Sequence, residues 1–157
     1  MELSGSHTFD APQAVVWRVL TDPETLRRTL PGCQQFEPQP DGSYRVALSI
    51  GIAAIKGSYS GTVRMKNERP PSFYTLEMSA RGGVGFVEGR GDFTFSPSSE
   101  DGRQTLLSYT GEAHAGGKIA GVGQRLLHAG ANLVIGQFFK ALDKEVQEEN
   151  DGKHEQK

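Results

Sequence analysis

Apolar and polar residues alternate along most of the chain, and this alternation predicts a protein built largely of β-strands. The connections between the later segments are short, which favours an antiparallel meander. An Asp41-Gly42 pair after the second segment is typical of a hairpin turn. The seven predicted strands are residues 1–9, 33–39, 43–55, 57–68, 73–81, 86–96 and 104–115.

Two short helices are predicted between the first and second strands. Asp10 with Pro12 two positions later is a helix-start signal, and the Asp22-Pro23 pair repeats it. Pro31-Gly32 ends the second helix. Both helices are too short to cover the sheet.

After Gly116-Gly117 the apolar period becomes helical and predicts one long helix from about Ile119 to Glu148. A curved meander with one apolar face needs a cover, and only this helix is large enough. The predicted fold class is therefore α+β with a helix-grip architecture. A curved seven-stranded antiparallel sheet wraps around the long C-terminal helix, and two short helices follow strand 1. Residues 1–148 are predicted to form a single ligand-binding domain, and residues 149–157 a disordered polar tail.

Four glycines occupy strand positions that the alternation assigns to the inner face: Gly61, Gly89, Gly91 and Gly111. Glycine inside a strand packs no side chain and loses backbone entropy, so its repeated use favours a hollow for a small apolar molecule. The alternative is that glycine relieves crowding where the sheet bends around the helix. The residues predicted to line the hollow are Leu48, Ile50, Tyr59, Gly61, Met78, Gly89, Gly91, Phe93, Tyr109, Gly111, Leu126, Gly130 and Gln137.

The remaining composition narrows the chemistry. A net charge of -2 and a pI near 6.1 do not favour nucleic acid as a partner. A single cysteine, Cys33, cannot form an internal disulfide and fits a reducing compartment. The N-terminus lacks the pattern of a secretion signal, and no apolar run is long enough to span a bilayer, which favours a cytoplasmic location. The four histidines show no metal-ligand spacing, so neither a metal nor a catalytic residue is expected.

Several motifs together resemble the carbon monoxide dehydrogenase CoxG family, which belongs to the START-like superfamily with the polyketide cyclases. They are MELSGSHTF at the start, the stretch Ala11 to Trp17, Leu30-Pro31-Gly32-Cys33, and GGKIAGVGQRLL from Gly116 to Leu127. The resemblance covers roughly residues 1–147. It implies a non-catalytic accessory protein that binds a quinone- or lipid-like molecule and assists a membrane-associated molybdenum hydroxylase such as carbon monoxide dehydrogenase. It also implies peripheral contact with the inner face of the cell membrane, and no cofactor beyond a bound quinone or lipid.

Two other functions remain open at this stage. The first is an enzyme of the polyketide cyclase or aromatase type, which would need ionisable groups converging inside the hollow. The inner faces of the predicted strands carry almost none. The second is a docking or assembly factor whose contact surface is the wide apolar arc of the long helix. Bound ligand distinguishes the binding protein from the docking factor.

Overall fold

The computed structural model describes residues 1–155, with side chains described through Gly152. Short 3-10 turns at Ala53–Ile55 and Gly117–Val122 precede β4 and α3. The elements, in chain order, are β1 Glu2–Phe9, α1 Gln13–Leu20, α2 Pro23–Thr29, β2 Cys33–Pro38, β3 Tyr44–Ile50, β4 Gly57–Arg69, β5 Phe73–Gly82, β6 Gly85–Pro97, β7 Thr105–Gly116 and α3 Gln124–Glu155.

All seven strands form one antiparallel sheet in the order β1-β7-β6-β5-β4-β3-β2. Strands β2 to β7 are a meander, and β1 joins its far edge by pairing with β7, with Gly5 opposite Tyr109. The long helix α3 and the two short helices lie against one face of this sheet. The predicted α+β helix-grip fold is confirmed.

The main hydrophobic core lies where α1, the C-terminal half of α3 and the strand ends meet. Phe9, Leu107 and Leu142 are fully buried there, and Val16 of α1 packs with them. A second cluster joins α2 to β2, β3 and β4 around Phe36. A third lies at the opposite end of the sheet, around Tyr59, Ile119 and Leu127. The middle of the sheet lies between these three clusters.

Both predicted bounds of the long helix are wrong. The helix begins at Gln124 because Gly123 has a φ of +94°, a left-handed conformation that interrupts the helix and suits glycine. Residues 149–155, predicted to be disordered, continue the helix to Glu155, and Gln147 donates a 2.9 Å hydrogen bond to Asp151 one turn later. A polar segment can be helical when it extends a packed helix, because propagation is easier than nucleation. Gln156 and Lys157, in the same predicted tail, lie outside the described residues.

The helices of the described residues are not built to cross a membrane. In that part of the chain, no helix combines the length and the hydropathy needed to cross a bilayer.

Cys33 opens β2 beside α2 and is half-buried. Its Sγ donates a 3.3 Å hydrogen bond to the carbonyl oxygen of Gln35, and burial raises the pKa of the thiol. Because the thiolate is the reactive form, iodoacetamide should alkylate native Cys33 more slowly at neutral pH than the same thiol in the urea-unfolded chain. Mass spectrometry of timed samples measures both rates. Equal rates would show that the folded environment does not protect this thiol.

Candidate functional site

The inner face of the sheet meets the two halves of α3 differently. In the C-terminal half, Leu142 and Val146 are 0% and 2% exposed. In the N-terminal half, the sheet-facing Val134, Ile135 and Phe138 are only half-buried. The helix is therefore sealed against the core at its C-terminal half and packs less completely further towards its N-terminus.

Open space lies in front of β6. A side-chain carbon added at Gly89 would meet only the carbonyl oxygen of Glu112 at 3.5 Å and the Cβ of Ala113 at 3.9 Å, both in β7. No described atom of α3 comes within 4 Å of that position. At Gly91 the nearest atom is the carbonyl oxygen of Thr110, also at an ordinary 3.5 Å. These two glycines fit the hollow that the sequence predicts.

Gly61 and Gly111 have a different role. A side-chain carbon at Gly61 would overlap the carbonyl oxygen of Ser79 on β5, and one at Gly111 would lie 2.6 Å from the carbonyl oxygen of Arg90 on β6. Both clashes are with backbone, which cannot move aside cheaply. At these positions glycine permits close approach of neighbouring strands, so the bend explanation applies and the assignment of both residues to the lining of the hollow needs correction.

Tyr109 lies on the inner face at the β1 side of the hollow. Its ring packs between Phe93 and Phe139, with centroid distances of 6.1 and 5.6 Å, and leans over Gly5. Burial raises the pKa of its phenol, so the hydroxyl is neutral at physiological pH. The described residues provide no hydrogen-bond partner for this hydroxyl, which leaves it free to donate to a ligand oxygen.

Tyr59 is one of the predicted lining residues, but its hydroxyl is already used. It donates a 2.6 Å hydrogen bond to the carbonyl oxygen of Ile55 in the β3–β4 connection. The side chain of Ile55 in turn rests on Gly130, where an added carbon would meet it at 3.5 Å. Gly130 is buried, and its lack of a side chain seats this connection against α3.

Tyr59→Phe tests this arrangement. Losing one hydrogen bond to a partly buried carbonyl should lower the free energy of unfolding by about 1 kcal/mol. Amide hydrogen exchange should accelerate in residues 51–56, while the affinity for an apolar probe stays within about twofold of the parent protein. Unchanged exchange in this segment would contradict the role given to the hydroxyl.

Two residues predicted to line the hollow lie elsewhere. Leu126 is 54% exposed and Gln137 is exposed. At about 3.6 residues per turn, both lie on the side of α3 nearly opposite Leu142. The sequence pattern suggests an apolar arc that faces wholly inward, whereas only the stripe through Leu127, Val134, Phe138 and Leu142 faces the sheet.

The other predicted lining residues are half-buried on inner-facing strand positions. Met78 is paired in register with Gly89 and packs in the α2 cluster. Phe93 stacks on Tyr74 at 5.2 Å. Leu48 and Ile50 pack in the cluster around Tyr59. Of these four, Met78 borders the open space most directly.

The outer face of the sheet carries two shallow depressions of about 400 and 480 Å³. Their walls are mostly charged. On this face Lys66 binds Glu77 at 2.7 Å, which lowers the pKa of that carboxyl group. Glu112 and His114 also face this side. An exposed surface of paired charges does not suit an apolar ligand.

One polar pair on the helix side was not identified from the sequence. Nε2 of His7 lies 2.7 Å from Oδ1 of Asp143, and the His7 ring stacks on Phe139 at 4.9 Å. The pair joins β1 to α3 at an exposed edge, where the Asp143 side chain is 49% exposed. Among the described residues, no group of three or more His, Cys, Asp or Glu side chains is placed to hold a metal ion.

Comparison with known proteins gives a family match. The model of the family of CoxG, a carbon monoxide dehydrogenase subunit, matches residues 5–147. A search of curated proteins found no match to the sequence.

Solved structures share the fold over nearly the whole chain. A conserved protein from Geobacillus kaustophilus is 36% identical with a TM-score of 0.90, over 94% of this chain and 96% of that one. A START superfamily protein from Mycobacterium smegmatis is 14% identical with a TM-score of 0.70, covering 94% and 97%. The Zhui aromatase/cyclase from Streptomyces sp. R1128 is 16% identical with a TM-score of 0.66, covering 94% of each chain. The last two similarities concern the fold alone.

Proposed function

Because the chain belongs to the carbon monoxide dehydrogenase CoxG family, we propose that it binds a quinone- or lipid-like molecule in the hollow between β6 and α3. In this role it assists a membrane-associated molybdenum hydroxylase such as carbon monoxide dehydrogenase. The observation that carries the proposal is the unfilled space in front of Gly89, under a helix whose facing residues are only half-buried.

The lining suits binding by shape and a single polar contact. Met78, Phe93 and the sheet-facing residues of α3 supply apolar surface, which is the main component of small-molecule sites. The Tyr109 hydroxyl supplies a neutral donor at one side. A quinone carbonyl is an acceptor that such a donor can bind.

We propose that this role is non-catalytic. General acid–base chemistry needs a group that titrates near the working pH, and burial moves the pKa of Tyr109 further above that range. The His7–Asp143 pair is the one observation that favours the cyclase-type alternative. It serves instead to fasten β1 to α3 at an exposed edge.

Bound content is the direct test of the proposal. Protein purified from its native host should be extracted with organic solvent, and the extract examined by mass spectrometry. We expect a quinone or lipid in near-stoichiometric amount. The purified protein should also quench its single Trp17 saturably on titration with a short-chain quinone. An empty extract together with no saturable binding would reject the proposal and favour a docking factor without ligand.

A further inference from the structure

Three connecting segments converge at one end of the molecule, beside the start of α3. They are residues 51–56, 83–84 and 117–123, here called the cap. The amide of Ile119 donates a 2.8 Å hydrogen bond to the carbonyl oxygen of Val84. Ile55 rests on Gly130 of α3, which joins the first segment to the helix. The cap therefore lies at the end of α3 that packs less completely against the sheet.

Large apolar side chains are exposed at the cap and along the adjoining outer side of α3. Val122, Leu126 and Leu133 are 37%, 54% and 55% exposed. Leu126 and Leu133 lie seven positions apart, so they project from the same side of the helix. Exposed leucines grouped on one surface are typical of a contact site rather than of a face left to water.

The charge around these side chains has one sign. Lys56, Lys118 and Arg125 are exposed, and none of them takes part in an ion pair between described residues. The sequence has no Asp or Glu in residues 42–67 or 113–142, although acidic residues outnumber basic ones in the whole chain by 19 to 17. The acidic residues are thus kept away from this end.

The charge along α3 opposes what the helix itself prefers. A helix dipole favours acidic residues at the N-terminus and basic residues at the C-terminus. The first turn of α3 has Arg125 and no acidic residue. Later in α3, Glu145 and Glu149 are accounted for by 2.7 Å ion pairs with Arg28 and Arg18. The basic N-terminal end has no such internal explanation, which points to an external anionic partner.

We propose that the cap and the N-terminal half of α3 dock on an anionic lipid bilayer, with Val122, Leu126 and Leu133 entering the headgroup boundary. Lys56, Lys118 and Arg125 would then lie against the lipid phosphates, the combination by which peripheral surfaces bind membranes. The inference rests on the proposed function, because docking there brings the hollow next to the source of its apolar ligand.

Vesicle flotation tests the docking surface. The probe is a vesicle of phosphatidylcholine with one third phosphatidylglycerol, compared with pure phosphatidylcholine. The parent protein should float with the anionic vesicles only, and less as salt rises. Arg125→Glu should weaken this binding at least about fivefold, since each basic residue near an anionic surface contributes about that factor. Leu126→Asp should weaken it about tenfold by removing inserted apolar surface.

Arg103→Glu is the matched control. This substitution makes the same change of net charge, and the 83% exposed side chain of Arg103 lies in the β6–β7 turn, at the far end of the strands from the cap. This variant should float like the parent protein. Circular dichroism melts of all variants should coincide, because every substituted side chain is largely exposed.

Flotation and ligand binding are measured separately, so the two proposals can fail separately. A parent protein that ignores anionic vesicles, or variants that float as well as it does, would overturn the docking proposal. Self-association through Leu126, or capture of an acidic protein without vesicle binding, would also overturn it in favour of a protein partner. Flotation of a protein that binds no quinone probe in vesicle-free solution would support docking and reject only the ligand.

Discussion

Gly89→Leu is expected to weaken binding of a quinone probe at least about tenfold, a difference of roughly 1.4 kcal/mol. The new side chain would extend into the space in front of β6, where the nearest atoms are at 3.5 and 3.9 Å. It would occupy volume that the ligand needs. Stability should change by less than about 1 kcal/mol, because leucine is the better strand former and gains apolar contacts. A Trp17 fluorescence titration and a urea melt on the same preparation measure both quantities.

Gly136→Leu provides the control for this substitution. Gly136 lies on the exposed side of α3, with nothing within 4 Å of an added side-chain carbon. The same chemical change there should leave probe affinity unaltered. If Gly89→Leu binds the probe as tightly as the parent protein, the ligand does not occupy the space in front of β6.

Gly61→Ala is expected to lower the free energy of unfolding by about 3 kcal/mol. Its methyl group would overlap the carbonyl oxygen of Ser79, so β4 and β5 would have to separate. Urea denaturation followed by circular dichroism measures the loss.

Gly91→Ala is the matched variant on the same inner face. Its added carbon makes ordinary contact at 3.5 Å, so its stability should stay within about 0.5 kcal/mol of the parent protein. Equal behaviour of Gly61→Ala and Gly91→Ala would contradict the division of the inner-face glycines into two roles.

The fold could be predicted from the sequence because its signals are local. Period-two alternation identifies each strand, and short connections such as Asp41-Gly42 leave a meander as the one economical topology. The ends of the long helix were less predictable. Gly123 breaks the helix through its backbone conformation, and the charged segment after Glu148 is helical because it extends a packed helix.

The candidate site was only partly predictable because it depends on distances between strands. Gly61 and Gly89 look alike in an alternating pattern, yet one fills a tight strand contact and the other faces open space. The orientation of Leu126 depends on how α3 is rotated about its axis, and two apolar stripes left that choice ambiguous. His7 and Asp143 are too far apart in sequence for any spacing rule to join them.

The proposed functions are linked by one end of the molecule. The hollow, the cap and the basic, leucine-bearing half of α3 adjoin one another, whereas the acidic half of α3 is paired with α1 and α2. A carrier of an apolar molecule needs both a dry site and a way to reach the lipid that supplies the molecule. This arrangement provides both without requiring a spanning helix.

Methyl NMR during titration with a short-chain quinone tests the central claim most directly. Met78 and Ala113 flank the space in front of Gly89, and Ile135 faces it from α3. Their methyl signals should shift together and saturably, while those of Thr62 and Thr110 on the outer face stay fixed. No saturable shift of the inner methyl groups, or shifts confined to the outer face, would contradict an apolar ligand site between the sheet and the long helix.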